Sequence, residues 1–389
     1  MILVTMLQHL KQSVTRHLQN SSNLLDPVKK SERRKFIMKK KSLVMLLTAA
    51  MMLTGLTACG KQNTSGSSES DSSEDKAVTI KLGFTHSNPD REVDDEVMYA
   101  ETFKEYVESK CDSIKVELYP GSALGSQADT VGAVASGTVQ MTIQNSSQLN
   151  NYDESSLIFG MPGIFTDIEE TNKVVDSDWA EEILEDIAKN TGIRVLGNSC
   201  TGMRSFTCKG RELRTVEDAK GLTFRIPESA IYTEMVEAIS ANPVPMPSSE
   251  MYVAMQNGVV DGQENPIQNV VIDKTYEVQD WYVLDNHTPT VMSYMINDEF
   301  YNGLSENQKA VIDEANEEAT KKARAVTEKL EASGIATLEE NGMTVYIPTE
   351  EELKGWHDAY GPVCEKYMRE EVGDELVDSL LDLLAEIRG

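Results

Sequence analysis

Arg225 is the side chain whose place in the sequence most suggests binding chemistry. It lies in the apolar pattern LTFRI at 222–226 and is followed by Pro227 after one further residue. A guanidinium there would lie at the mouth of a cleft, and its planar fork matches a carboxylate through two parallel hydrogen bonds. The pattern equally allows an internal salt bridge with one of the many carboxylates of the chain. Both interpretations of Arg225 stay open from the pattern alone.

Residue patterns typical of enzymes are weak or missing. The sequence contains no G-x-S-x-G, H-E-x-x-H, P-loop or G-x-G-x-x-G motif. His86, His287 and His357 are widely separated along the chain, and nothing favours a catalytic triad. Glu250 and Glu264 could be proposed as a glycosidase pair, but helix-face carboxylates in so acidic a chain are ordinarily solvated. We therefore predict no catalytic residues.

The cysteines that follow residue 59 do not have metal-ligand spacing. Cys111, Cys200, Cys208 and Cys364 form no C-x-x-C pair, and the whole chain has only 5 histidines. A structural zinc site is therefore not expected, and no metal or cofactor is predicted. Cys200 and Cys208 could pair across neighbouring strands, or all four could be buried free thiols.

The charge of the chain excludes several classes of partner. The full sequence has 36 basic and 64 acidic residues, of which 10 basic and 2 acidic ones precede residue 59. The rest of the chain therefore carries 26 basic against 62 acidic residues, a formal net charge of −36. Such a surface argues against binding to nucleic acid or to anionic lipid.

The N-terminal segment has the order of a targeting signal. Met38 is followed by three lysines, an apolar run at 43–56 and the sequence LTAC at 56–59, which resembles the lipobox of bacterial lipoproteins. A membrane-spanning anchor is the alternative, but the apolar run is shorter than the roughly 20 residues needed. We predict a signal peptide within 1–58 with Met38 as the true start, lipidation of Cys59, and a flexible linker over 59–76.

The remaining chain alternates short apolar strands with amphipathic helices, which is typical of an α/β fold. A helix is predicted to begin at Ser305, where Ser305 and Gln308 resemble a capping box, and its apolar stripe runs for more than seven turns. Thr349 and Glu352 repeat that signature before two C-terminal helices. The main predicted strands lie at 78–84, 114–119, 139–144, 193–199, 203–208 and 222–226.

Several motifs in register resemble the solute-binding proteins of TRAP transporters, the DctP-like family. The matching segments are YPGSALGS at 119–126, TGMRSFT at 201–207, EDAKGLTFRIPES at 217–229, ANPVPM at 241–246, SSEMYVAMQNGVVDGQENP at 248–266 and YEVQDWY at 276–282. The resemblance covers nearly all of 78–389. It implies a two-lobed fold of the type II periplasmic-binding-protein class, with the ligand between the lobes and the helix from Ser305 spanning both.

The resemblance also implies roles for individual residues. Arg225 would make the bidentate contact to a substrate carboxylate, Arg204 would support the anion, and Asn265 would be a hydrogen-bonding partner. Positions that vary with the ligand would be Thr85, Gln127, Asn145 and Glu228. Ser248 stands where many members place an aromatic residue, and Phe300 where many have Trp. The small Ser248 favours a larger or more polar ligand, and hence a sugar acid such as a uronate over a C4-dicarboxylate.

These observations predict an extracytoplasmic solute receptor that is anchored to the membrane by its lipid, binds a small organic acid and works with TRAP membrane subunits. Lobe I is expected to comprise 77–200 and about 288–330, and lobe II 201–287 and about 331–389. The alternatives are an extracytoplasmic hydrolase acting on sugar acids and the binding protein of an ABC importer.

Overall fold

The computed structural model describes residues 75–389, which lie within one compact unit, 73–389. The predicted signal peptide, Cys59 and most of the predicted linker lie outside the described residues. Within the described range, none of the helices combines the length and apolar character needed to cross a membrane.

Ten strands form the central layer. In chain order they are β1 Val78–Gly83, β2 Ile114–Tyr119, β3 Met141–Asn145, β4 Ile193–Cys208, β5 Thr223–Ile226, β6 Asn242–Pro245, β7 Gly262–Asn265, β8 Trp281–Val283, β9 Thr288–Asn297 and β10 Thr344–Tyr346. Hydrogen-bonded neighbours follow the order β2-β1-β3-β9-β4-β7-β5-β6, and β8 pairs with β4 and β10. Strands β1, β2 and β3 are mutually parallel neighbours, as are β6, β5 and β7, whereas β9 and β4 are antiparallel to their partners in this order.

Eleven α-helices are present in the described residues. They are α1 Asp95–Lys110, α2 Gln127–Ala135, α3 Ile168–Val175, α4 Asp178–Thr191, α5 Ala230–Ala238, α6 Ser248–Gln256, α7 Ile267–Ile272, α8 Asp298–Asn302, α9 Glu306–Glu340, α10 Glu350–Val372 and α11 Asp374–Arg388. Short 3-10 helices occupy Arg91–Val93, Ser146–Asn151, Glu154–Gly160, Val216–Ala219 and Thr275–Glu277.

Strand β4 connects two sheets, and its length differs from the sequence prediction. The sequence predicts separate strands at 193–199 and 203–208, but the structure has one strand of 16 residues. Its pairing with β9 shifts register between Cys200 and Met203, where Gly202 has a φ of +135°. Beyond this irregularity, Ser205 to Cys208 pair with β7 in the second sheet. A bulge of this kind bends a strand without ending it, so β4 continues from one sheet into the other.

Helix α9 packs against both sheets. Its first half, including Ile312 and Ala319, lies in the hydrophobic core beneath β1 and β3. Its last turns place Leu338 in a second cluster with Ile267 and Tyr282. Gly334 permits the close approach to α7, because a Cβ there would lie 2.0 Å from Ile267 Cγ2. The predicted long helix is therefore confirmed.

Local signals at chain turns are also confirmed. Ser305 Oγ accepts a hydrogen bond from the Gln308 amide at 3.1 Å, and Thr349 with Glu352 forms the second capping box. Gly258 follows the end of α6 with a φ of +66°, the left-handed position that glycine occupies without strain. The four described cysteines are buried free thiols, so Cys200 and Cys208 form no disulfide.

Candidate functional site

A cavity of about 590 Å³ lies at the carboxyl ends of β1, β3, β5 and β7, within the size range of small-molecule sites. Seven of the eight predicted binding residues line it: Thr85, Gln127, Asn145, Arg204, Arg225, Ser248 and Asn265. Glu228 does not line it. Pro227 forms part of the wall, and the chain then turns outward so that Glu228 is exposed.

Arg225 is a buried cation without an acidic partner. Its side chain is 3% exposed, and Nε and Nη2 donate to the Met246 carbonyl at 3.0 and 2.8 Å. Nη1 lies 3.7 Å from Met251 Sδ, and no carboxylate among the described residues forms an ion pair with the guanidinium. Burial lowers the pKa of Arg225 to about 10. The internal salt bridge that the sequence left open is thus not formed, and an unmatched charge borders the cavity.

Arg204, by contrast, is neutralised inside the protein. Its Nε and Nη2 bind the Glu264 carboxylate at 2.5 and 2.8 Å, Nη2 also donates to the Glu264 carbonyl at 2.6 Å, and Nη1 donates to Thr290 Oγ1 at 2.9 Å. Burial by itself would lower the pKa of Arg204, but the Glu264 carboxylate outweighs burial and raises it. Most of the donors of Arg204 are therefore already occupied.

The Glu264 carboxylate continues into a buried chain that the sequence did not reveal. His287 Nε2 lies 3.1 Å from Glu264 Oε2, and His287 Nδ1 lies 3.0 Å from Asp285 Oδ2. All three side chains are fully buried. Burial lowers the pKa of His287, but the two carboxylates outweigh it and raise that pKa to about 8. Glu250 lies exposed on α6, so the glycosidase pair with Glu264 is not assembled.

Neutral polar side chains complete the wall beside Arg225. Asn265 Nδ2 lies 2.6 Å from Gln263 Oε1 and 3.5 Å from Met251 Sδ. Gln127 Nε2 donates to Thr85 Oγ1 at 3.4 Å. Asn145 Oδ1 accepts from the backbone of the next 3-10 helix, and Ser248 is the first residue of α6. These groups offer hydrogen bonds of both polarities to a small polar ligand.

The chain matches the family described as bacterial extracellular solute-binding protein, family 7, over residues 84–371. It belongs to this family. Family 7 comprises solute-binding proteins of transport systems and not enzymes. The family match and the structural neighbours confirm the predicted TRAP, DctP-like relationship.

Relatives of this family 7 protein bind different acids. It is 28% identical over 281 residues to the C4-dicarboxylate-binding periplasmic protein DctP of Shewanella loihica, covering 71% of this chain and 82% of that one. A TRAP periplasmic solute-binding protein from Shewanella oneidensis with bound succinate is 26% identical, with a TM-score of 0.74 over 79% of this chain and 99% of that chain. One from Polaromonas bound to D-erythronate is 27% identical, with a TM-score of 0.73 over 79% and 98%. The predicted two-lobed α/β fold is confirmed.

The cavity of this family 7 member also has an acidic wall that the sequence did not predict. His86, Glu96 and Asp273 line it. Glu96 Oε2 accepts from the backbone amides of Thr85 and His86 at 2.9 and 3.0 Å. His86 Nδ1 lies 3.1 Å from Asp94 Oδ1. Burial by itself would lower the pKa of His86, but the Glu96 and Asp94 carboxyl groups outweigh burial and raise this pKa well above its usual value.

Asp95 lies in the same group, and burial raises its pKa to about 7. His86, Asp94 and Asp95 each offer one ligand atom, and these atoms lie within 4.8 Å of one another. Their donor types and spacing suit a divalent cation. The sequence contains no signal for this group beyond the run of acidic residues at 94–96, which is ordinarily a solvated helix start.

Proposed function

We propose that this protein is the extracytoplasmic solute receptor of a TRAP transporter, and that it holds a small organic acid through Arg225 and delivers it to the membrane subunits. The observation that carries the proposal is a guanidinium that is 3% exposed, has no carboxylate partner in the part of the chain that the structure describes, and borders a cavity of about 590 Å³. An anionic solute would supply the missing counter-charge. The ligand classes we propose are sugar acids and C4-dicarboxylates.

The energetics of such a site are adequate for a receptor. Hydrogen bonds to charged groups contribute roughly 1.5–3 kcal/mol each, and micromolar affinity needs about 8 kcal/mol. The Met246 carbonyl fixes the Arg225 fork from behind through two donors, so little side-chain freedom is lost when the ligand binds. Two bonds from Arg225 and a few neutral contacts from Asn265, Gln127 or Thr85 would reach that range.

We propose a supporting role for Arg204 and no ligand contact for Glu228. Arg204 keeps one Nη1 position for the ligand, while its pair with Glu264 holds the strands β4 and β7 together. The lobe boundaries predicted from the sequence stay a proposal. Strand β4 runs from proposed lobe I into proposed lobe II, so small changes along it would open and close the cavity.

The proposed location is the outer face of the cytoplasmic membrane or the periplasm. A lipid on Cys59 would provide the attachment, because the charge of −36 on the rest of the chain opposes adsorption to anionic lipid. The linker to residue 76 would give the receptor freedom to reach the membrane subunits.

A thermal-shift screen of the chain from residue 60 onward tests the proposal. We expect at least one uronate, aldonate or dicarboxylate to raise the melting temperature, since a ligand at 100 times its Kd stabilises by about 2.7 kcal/mol. Chromatography of the incubated acid should recover it unchanged, whereas a hydrolase would yield product. Uptake in vesicles that contain the two TRAP membrane subunits, but not in vesicles with an ABC importer, separates the transporter classes. No stabilisation by any acid would contradict the proposal.

A further inference from the structure

The cavity wall carries two unmatched charges of opposite sign. Asp273, at the end of α7, lines the same cavity as Arg225, and its carboxylate has no hydrogen bond or ion pair with any described residue. The two side chains do not form an ion pair with each other, and burial raises the pKa of Asp273 while the charges of His86 and Arg225 oppose that rise. Each charge therefore faces the cavity without an internal partner.

Further hydrogen-bond acceptors lie on the same wall. Asn269 also lines the cavity, but its Oδ1, which has no hydrogen-bond donor, is shielded from solvent. Glu96 Oε1 forms an ion pair with His86 Nε2 at 3.7 Å, longer than an ordinary hydrogen bond. Glu96 Oε1 and the Asp273 carboxyl therefore present acceptor oxygens that receive no hydrogen bond from the described residues. Buried acceptors are normally satisfied, so this wall is suited to a ligand that brings donors of its own.

Carboxyl groups outnumber basic groups on this wall. Glu96 and Asp273 line the cavity beside His86, and the Asp94 carboxyl lies 3.1 Å behind the His86 ring. Lys274 also lines the cavity, but its side chain is exposed, so water and salt screen its charge. Among the cavity-lining residues that the structure describes, Arg225 is the buried cation without a carboxylate partner.

We propose that the cavity selects acids that have a single carboxylate and hydroxyl groups along the rest of the molecule, and that Asp273 and Glu96 select against a second carboxylate. The inference rests on the proposed function and narrows its ligand class. The carboxylate binds Arg225, and ligand hydroxyls donate to the unmatched oxygens. A second carboxylate brings no donor and adds a negative charge beside Glu96 and Asp273.

Two matched pairs of acids test this selectivity. D-Gluconate and D-glucarate share a six-carbon chain and differ in whether carbon 6 is an alcohol or a carboxylate, and D-erythronate and meso-tartrate differ in the same way at carbon 4. A like charge at close range disfavours the placing of a second charge by roughly tenfold or more in the equilibrium constant. We therefore expect calorimetry at pH 7.5 to give at least about tenfold tighter binding for the monocarboxylate of a pair. EDTA is included so that no cation held by His86, Asp94 and Asp95 neutralises the wall.

Variants assign the selectivity to its residues. Asp273→Asn removes a negative charge without changing the shape of the side chain, so the preference for the monocarboxylate should fall at least about threefold. Glu96→Gln should act in the same direction. Because Glu96 also accepts hydrogen bonds from two backbone amides, the melting temperature of the Glu96→Gln variant is measured together with its affinities. Glu228→Gln is the matched control, since Glu228 is exposed outside the cavity and the same acid-to-amide change there should leave the preference intact.

The outcomes separate this inference from the function on which it rests. Equal or tighter binding of the dicarboxylates, abolished by Arg225→Ala, would overturn the inference and leave the receptor standing. If Lys274→Gln then removed dicarboxylate binding, Lys274 would be the residue that accepts the second carboxylate. Unchanged selectivity in Asp273→Asn and Glu96→Gln would also overturn it. If none of the four acids bound, the inference would be overturned, and the proposed function would fail with it only if no acid of the thermal-shift screen bound either.

Discussion

The two arginines of the cavity should respond in opposite ways to replacement by alanine. Arg225→Ala removes a guanidinium that pairs with no carboxylate among residues 75–389, so its main effect should be on the ligand. Arg204→Ala removes the partner of Glu264, whose side chain is fully buried. We therefore expect the first variant to lose binding and keep its fold, and the second to lose stability.

The size of the binding defect follows from the proposed contact. Truncating one partner of a buried, hydrogen-bonded charge pair costs about 2–5 kcal/mol, and each 1.4 kcal/mol is tenfold in affinity. Arg225→Ala should therefore weaken acid binding by roughly 30-fold to several thousand-fold. Arg225→Lys should also bind poorly, because a point charge cannot reproduce two parallel bonds and cannot keep both donors on the Met246 carbonyl.

The stability effects should separate the variants. Arg225→Ala leaves the Met246 carbonyl without its two donors, which costs about 1–3 kcal/mol unless water from the open cavity replaces them. That cost is offset because the protein no longer buries an unpaired cation. Arg204→Ala leaves the buried Glu264 carboxylate with His287 as its remaining ionic partner, and removing one partner of a buried ion pair typically costs about 3–5 kcal/mol. The melting temperature should consequently fall clearly for Arg204→Ala and little for Arg225→Ala.

Calorimetry with the best acid of the thermal-shift screen and urea unfolding of the ligand-free variants measure the two effects. Micromolar affinity retained by Arg225→Ala would refute the assignment of the carboxylate contact. Equal destabilisation of both variants would refute the distinction between a neutralised and an unmatched arginine. Circular dichroism before titration confirms that a non-binding variant is folded.

Three further results are expected. The pKa of His287 in the folded protein is about 8, above the usual 6.5, so its stabilising contribution is complete below pH 6.5 and is lost as the pH rises through 8. Urea unfolding from pH 6.5 to 9 should therefore show the free energy of unfolding falling by up to about 2 kcal/mol. The fall should be smaller in His287→Gln. Gly334→Ala should lower the free energy of unfolding by about 1–3 kcal/mol, because the new Cβ clashes with Ile267. Gly355→Ala, where a Cβ on the helix points into open space, should be neutral or stabilising. Chemical unfolding of the two variants measures both effects. Cys59→Ser should move the protein from the membrane fraction to the soluble fraction on immunoblots, and retention in membranes would contradict the lipid anchor.

The sequence predicts the elements of this fold well where a local signal decides them. The caps at Ser305 and Thr349 and the apolar stripe of α9 depend on residues within one or two helical turns, and each lies where the pattern places it. The prediction of separate strands at 193–199 and 203–208 is wrong, because residues 200–202, including Gly202, continue the strand. In the structure, pairing with β9 and then β7 carries the chain across that glycine, and this pairing involves residues about 60 to 100 positions away.

The candidate site, too, was predictable only where local signals decide it. The position of Arg225 near the end of β5 follows from the local strand pattern. Seven of the eight residues expected from the family motifs line one cavity. The acidic wall could not be predicted, because Asp273 ends one helix and Glu96 begins another, and in an acidic sequence both look like solvated helix ends. Only the meeting of α1 and α7, shown by Gln268 Nε2 at 3.4 Å from Asp95 Oδ1, brings them to the cavity.

Partner geometry, and not residue type, decides what each arginine does. Arg204 and Arg225 are both 3% exposed, and both border the same cavity. Glu264 lies on β7, the strand that pairs with both β4 and β5, yet its carboxylate reaches Arg204 and leaves Arg225 without a partner. Because side chains alternate between the faces of a strand, Glu264 cannot be replaced by its neighbours Gln263 or Asn265 in that role. The unmatched charge of Arg225 is therefore a consequence of strand register, and a ligand carboxylate is the counter-charge for which the register leaves room.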